Sequence, residues 1–146
     1  MKLGYLRCEP ISVRCVIAER KLDGLCVAVH GILYLGAGCH EGEYLLLPKD
    51  GPFDGVGPIP MPESIDRTEC LLIEQPNIDR KLGPSGAVGE YYWKHDCIMV
   101  GTIRYQPGTD HPTRIGALSA IILQDWQDMG KGDAYHELRV LIFDGR

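Results

Sequence analysis

Between residues 48 and 62 the chain places five prolines and three glycines. Proline lacks an amide donor and blocks the helical turn before it, so this tract excludes both a helix and a central strand. A second interruption, residues 75–89, carries two prolines and three glycines. Regular structure must fit around these tracts as short elements joined by turns. With 18 glycines and 10 prolines in 146 residues, the chain exceeds the usual combined share of about 12%, which favours many short strands over a helix bundle. The length suits a single domain spanning residues 1–146. A hydrophobic content of 45% against 24% charged residues is enough to fill its core.

The apolar runs predict where the strands fall. Residues 12–18 are β-branched and partly alternating, and residues 25–29 read the same way. Between them Asp23-Gly24 tolerates positive φ and suits a hairpin turn. His30-Gly31 either turns the chain into a third strand, residues 32–35, or forms a bulge within one long strand. Residues 44–47 and 70–74 are short apolar runs expected to be buried strands. Residues 91–105 predict the longest strand, with Tyr91, Trp93, His95, Cys97, Met99, Ile103 and Tyr105 on one face. A bend near His95-Asp96 would split it in two.

Residues 112–129 predict a helix. Ile115, Leu118, Ile122, Trp126 and Met129 recur every three or four positions as one apolar stripe. Pro112 suits a helix start, Asp110 or Thr113 can cap it, and Gly130 can stop it. Residues 136–143 then alternate as a last strand returning beside the long one. The expected fold is α+β: a mostly antiparallel, curved or barrel-like sheet packed against this one C-terminal helix. No internal repeat is present.

Fifteen Lys and Arg against twenty Asp and Glu give a formal charge of −5. The cations are scattered among acids, as in Glu19-Arg20-Lys21-Leu22-Asp23, which argues against a nucleic-acid partner and against a membrane-surface role. Six cysteines, at 8, 15, 26, 39, 70 and 97, are even in number. The first ten residues lack the apolar core of a signal peptide, and no stretch approaches the length that spans a bilayer. The expectation is a cytoplasmic protein with reduced thiols, several buried as small hydrophobes.

Four local patterns bear on chemistry. Lys21-Leu22-Asp23-Gly24 resembles the K-x-D-G motif of the ATP-dependent DNA ligase and capping-enzyme superfamily, a resemblance that implies a nucleotidyl-lysine at Lys21. It covers about ten residues, departs at Cys26 where that family has arginine, and lacks the family's downstream K-x-K. An Asp-Gly turn accounts for the same residues. Cys39-His40-Glu41 joins a thiol and an imidazole, but neighbours on an extended chain point to opposite sides, so Cys39 needs a histidine from elsewhere: His30, His95, His111 or His136. His95 and Cys97 share a strand face, yet the paired C-x-x-C or H-x-x-x-H spacing of zinc sites is missing, so no metal and no cofactor is expected. The glycine-rich residues 83–89 lack the lysine and hydroxyl of a P-loop and read as a connector.

The binding candidates are Phe53, Ile59, Met61, Tyr91 and Trp93. The first three are apolar side chains set among prolines and glycines, with Lys49, Asp50 and Asp54 close by as a polar rim, and the last two belong to an aromatic run of the kind enriched at interfaces. The expected function is a non-catalytic binding or interaction protein that self-associates as a homo-oligomer. Two alternatives stand beside it. One is a small cysteine- or histidine-dependent hydrolase or transferase using Cys39, His40 or His95; the other binds a small apolar ligand between helix and sheet.

Overall fold

The structure is a computed structural model describing residues 9–36, 43–53, 62–74, 93–125 and 139–142. Its elements in chain order are β1 (Ile11–Ser12), α1 (Val13–Ala18), β2 (Cys26–Gly36), β3 (Glu43–Leu47), β4 (Leu71–Ile73), β5 (Trp93–Tyr105), β6 (Thr113–Asp125) and β7 (Arg139–Ile142). Short 3-10 turns occupy Arg20–Leu22, Pro62–Ser64 and Arg67–Glu69.

Strand β2 is bonded to β3 along one edge and to β5 along the other. From β3 the sheet continues to β4, then β6, then β5, which returns to β2 and closes a five-stranded barrel. All these pairs are antiparallel except β4 with β6. Because β2, β3 and β4 are consecutive neighbours and β5 comes back beside β2, the connectivity is a Greek key. Strand β1 lies parallel to β2, and β7 joins β6 from outside the ring.

The barrel overturns the expected α+β arrangement of a sheet packed against a C-terminal helix. Among the described residues the one α-helix is α1, and most of the predicted helix at 112–129 is strand β6. The cause is visible in the register with β5. Gly101 pairs with Ala117 and Val100 with Ser119, leaving Leu118 without a partner; Cys97 pairs with Ile122 and Asp96 with Gln124, leaving out Leu123. Each such bulge adds one residue and shifts the alternation by one. Buried positions therefore run Thr113, Ile115, Ala117 and then Ala120, Ile122. That three-residue step, set between Ile115 and Ile122, imitates helical periodicity. Leu118, a member of the predicted stripe, is 51% exposed, while Trp126 and Met129 lie outside the described residues.

A second correction falls at residues 12–18. Ser12 is an N-cap whose hydroxyl accepts from the Cys15 amide at 3.0 Å, and Val13 and Val16 are fully buried with Ile17 packed beside them. Their spacing of three and one is helical, so α1 covers its apolar stripe by closing the barrel interior. The hairpin expected between residues 12–18 and 25–29 does not form, although Asp23-Gly24 does turn, with Gly24 at φ 84. Strand β2 runs unbroken through His30-Gly31. A side chain at Gly31 would meet Leu46 Cγ at 2.8 Å and both the Leu47 carbonyl and Val13 Cγ2 at 2.9 Å, so only glycine lets β2 pass here. The long strand is realised as β5, and the last strand, β7, pairs with β6 rather than with it.

Two apolar clusters result. The larger fills the barrel with Val29, Leu33, Leu46, Leu71, Cys97, Met99, Ile103 and Ile115 among others, plus the inner face of α1. The smaller lies on the outer face of β2 and β3: Ile32, Tyr34, Leu45 and Leu47 are covered by Ile65, Cys70 and the partly buried Phe53 and Leu72. Residues 32–34 and 45–47 are thus buried on both faces, which explains their uninterrupted apolar character.

Candidate functional site

The outer cluster positions the candidate site. After β3 the chain turns at Pro48 and Gly51, and Phe53 folds back against the barrel wall. The two 3-10 turns at residues 62–69 then pass over the same wall. Between this covering layer and α1 remains a cleft of about 130 Å³, its apolar surface supplied by Leu47, Phe53, Ile65 and Cys70.

Charged groups line the same cleft. Arg14 projects from α1, and its Nε donates to Asp50 Oδ1 at 2.7 Å, tying the helix to the turn after β3. That hydrogen bond holds the Asp50 carboxyl below its ordinary pKa. Asp66 caps the second 3-10 turn: its Oδ1 accepts from the Thr68 amide at 2.9 Å and from the Thr68 hydroxyl at 2.7 Å. The hydroxyl bond leads in holding the Asp66 carboxyl below its usual range. Glu69 completes the lining. Among the described residues the lining thus sets the carboxylates of Asp66 and Glu69 beside the cation Arg14, whose partner Asp50 is not itself part of the lining.

A second polar group sits on the outer face of β2 and β5. His30 Nε2 lies 2.9 Å from Asp96 Oδ1, and Lys49 Nζ is 3.2 Å from the same oxygen. A carboxylate only accepts, so the Nε2 atom carries the hydrogen. Ser12, the register partner of His30 on β1, has its hydroxyl engaged as the α1 cap. The group bonds β5 to β2 and to the turn after β3 through one carboxylate that is 15% exposed.

Two further ties hold the barrel ends. Glu74 accepts from Arg104 Nε at 3.1 Å and Nη2 at 2.9 Å, and from Arg114 Nη1 at 3.2 Å. The Tyr105 hydroxyl lies against the carbonyls of Val16 and Glu19, 2.7 Å from the latter, and Arg20 stands 4.9 Å from the ring centre.

Of the residues singled out in the sequence, Phe53 lines the cleft. Trp93 and His95 are on β5, opposite Leu35 and Leu33 of β2. Cys39, His40, Ile59, Met61 and Tyr91 lie outside the described residues, as do residues 75–89. The Lys21 side chain is 82% exposed and 3.7 Å from Glu19, a solvated lysine beside a turn rather than a desolvated nucleophile. Among the described residues no group of three or more His, Cys, Asp or Glu is placed to hold a metal ion. Nor is any described helix long and apolar enough to cross a membrane. Sequence reasoning missed Arg14, Ile65, Asp66 and Glu69. The signal at Asp66 was an Asx-type cap two residues before Thr68, whereas nothing local marks Arg14 as the partner of Asp50.

No family model matches the chain, and comparison with curated proteins and with solved structures also finds no match.

Proposed function

We propose that the protein is a non-catalytic binding module that docks another polypeptide at the cleft between α1 and residues 48–70, a second copy of itself being the partner to test first. The observation that carries this reading is the cleft: an apolar hollow of about 130 Å³ with charged walls, on the outside of a barrel whose interior is filled by its own side chains. Interface anchors seat in pockets of this kind, desolvated at the centre and polar at the rim. Of the binding residues foreseen in the sequence, Phe53 is the one among the described residues that lines it. The same reading places the protein in the cytoplasm with reduced thiols, supported by free Cys15, Cys26, Cys70 and Cys97.

Light scattering across a range of concentrations tests the reading. Ser64 is an exposed residue of the cleft wall, and Ser64→Trp fills the hollow without removing a core group. The expected result is a dimer that becomes monomeric in Ser64→Trp with an unchanged circular dichroism spectrum. A dimer indifferent to the substitution places the interface elsewhere. A monomer at every concentration removes self-association.

A further inference from the structure

We infer that the occupant of the cleft is a cationic side chain, lysine or arginine, presented by the second polypeptide; this rests on the binding reading above and adds the chemistry of what enters. Size comes first. Pockets for cofactors and drug-sized ligands run from about 300 to 1,000 Å³, whereas an apolar cavity near 150 Å³ admits benzene. A hollow of about 130 Å³ therefore accommodates one side chain.

Surface chemistry then selects among side chains. Leu47, Phe53, Ile65 and Cys70 offer an apolar surface suited to a run of methylenes. Arg14, the cation of the lining, is engaged by Asp50 at 2.7 Å and also feels the charge of Glu69. Asp66 and Glu69 make no ion pair among the described residues, and both are exposed, so a cation beside them keeps part of its hydration while its stem is buried. Nearby cations are directed elsewhere: Arg67 Nη1 donates to the Ile65 carbonyl at 2.9 Å, and Lys49 Nζ lies 3.2 Å from Asp96. An acidic side chain would meet the two carboxylates Asp66 and Glu69 and a cation, Arg14, that Asp50 already engages. A neutral apolar one would use the hollow and gain nothing from the carboxylates.

The test uses the full chain, isotope-labelled for amide NMR, titrated with capped pentapeptides Gly-Gly-X-Gly-Gly in which X is Lys, Arg, Leu or Glu. Lys and Arg peptides are expected to shift the amides of Arg14, Phe53, Ile65 and Glu69. In Glu69→Gln, and further in Asp66→Asn with Glu69→Gln, binding should weaken by about fivefold, the scale of exposed ion pairs. Raising the salt concentration should weaken it similarly. If the Leu peptide binds as well as the Lys peptide, the cationic assignment is overturned while the cleft remains a binding site. If no peptide moves these amides but Ser64→Trp still dissolves the dimer, the assignment fails and the interface stands. If Glu69→Gln stays folded and binds Lys as before, the assignment is likewise overturned.

Discussion

A methyl group on Gly101 would stand 2.5 Å from the carbonyl oxygen of Gly116 on the neighbouring strand, and 2.7 Å from Ile115 Cγ1. Gly101 sits where the first β6 bulge shifts the register, and it faces inward between Met99 and Ile103. The two strands can coil tightly here because nothing projects between them.

Gly101→Ala is therefore expected to cost about 3 kcal/mol or more, since the clash is with backbone that cannot step aside. Gly116→Ala, whose nearest new neighbour would be the Thr102 carbonyl at 3.8 Å, should cost less than about 1 kcal/mol. Urea denaturation of both variants checks the contrast, and equal losses would mean that the close approach at Gly101 is not the constraint.

Leu118 and Leu33 separate the barrel from the helix anticipated in the sequence. With its side chain at a bulge and 51% exposed, Leu118→Ala should change stability by no more than about 0.5 kcal/mol. Leu33 is fully buried, and Leu33→Ala should cost about 2–5 kcal/mol through lost burial and a cavity. A large loss at Leu118 would argue for a buried stripe after all.

Tyr105 latches the end of β5 to the end of α1. Removing its hydroxyl in Tyr105→Phe leaves the Val16 and Glu19 carbonyls without that donor and should cost about 1 kcal/mol. Burial raises the phenol pKa above its ordinary 10.0, so the fold favours the protonated form. The stability this contributes is present below pH 10 and is lost as the pH rises through the raised value. Tyr105→Phe should therefore flatten the alkaline limb of a denaturation series followed by circular dichroism, and an unchanged limb would show that the latch does not persist in solution.

At the acid end the relevant group is Asp66. Its carboxyl is held below the ordinary 3.8 chiefly by the Thr68 hydroxyl, so its contribution is present above pH 3.8 and is lost as the pH falls below it. Asp66→Asn should flatten that part of the acid limb in a denaturation series from pH 6 to pH 2. An unchanged limb would show that the Thr68 cap does not persist in solution.

Alkylation of the native protein, mapped by peptide mass spectrometry, should modify Cys15 and Cys26, which are exposed, well before Cys70 and Cys97, which are buried. Burial pushes the Cys97 thiol pKa up, withholding the reactive thiolate as well as access to it. Modification of Cys97 at the rate of Cys15 would contradict the barrel interior.

Strands β2, β3, β4 and β5 were legible because their evidence is local. Proline and glycine bounded the runs at residues 44–47 and 70–74, and the alternation of Cys97, Met99 and Ile103 followed the pleat whatever lay across from it. The helix α1 was misread from β-branched composition, although the spacing of Val13, Val16 and Ile17 was helical. Of the cleft's described lining, the part from the 48–62 tract, with Phe53, was anticipated. Its partners come from α1 and from the two 3-10 turns, and no periodicity links those segments.

The amino-acid sequence by itself determined that this chain would be rich in short strands, interrupted by proline and glycine tracts, and placed extended segments at residues 25–29, 32–35 and 91–105 while leaving open whether His30-Gly31 turned the chain. Those properties depend on φ/ψ preferences and side-chain alternation within a few residues. Tertiary structure decided the rest. Whether residues 113–125 were helix or strand was settled by two bulges against β5, and closure depended on β5 returning to β2. The cleft depended on Arg14 meeting Asp50, 36 positions away, as the β2–β5 bridge depended on His30 meeting Asp96, 66 positions away. Contacts at such separation exist only once the barrel has closed, because its geometry and not the intervening sequence brings those side chains within bonding distance.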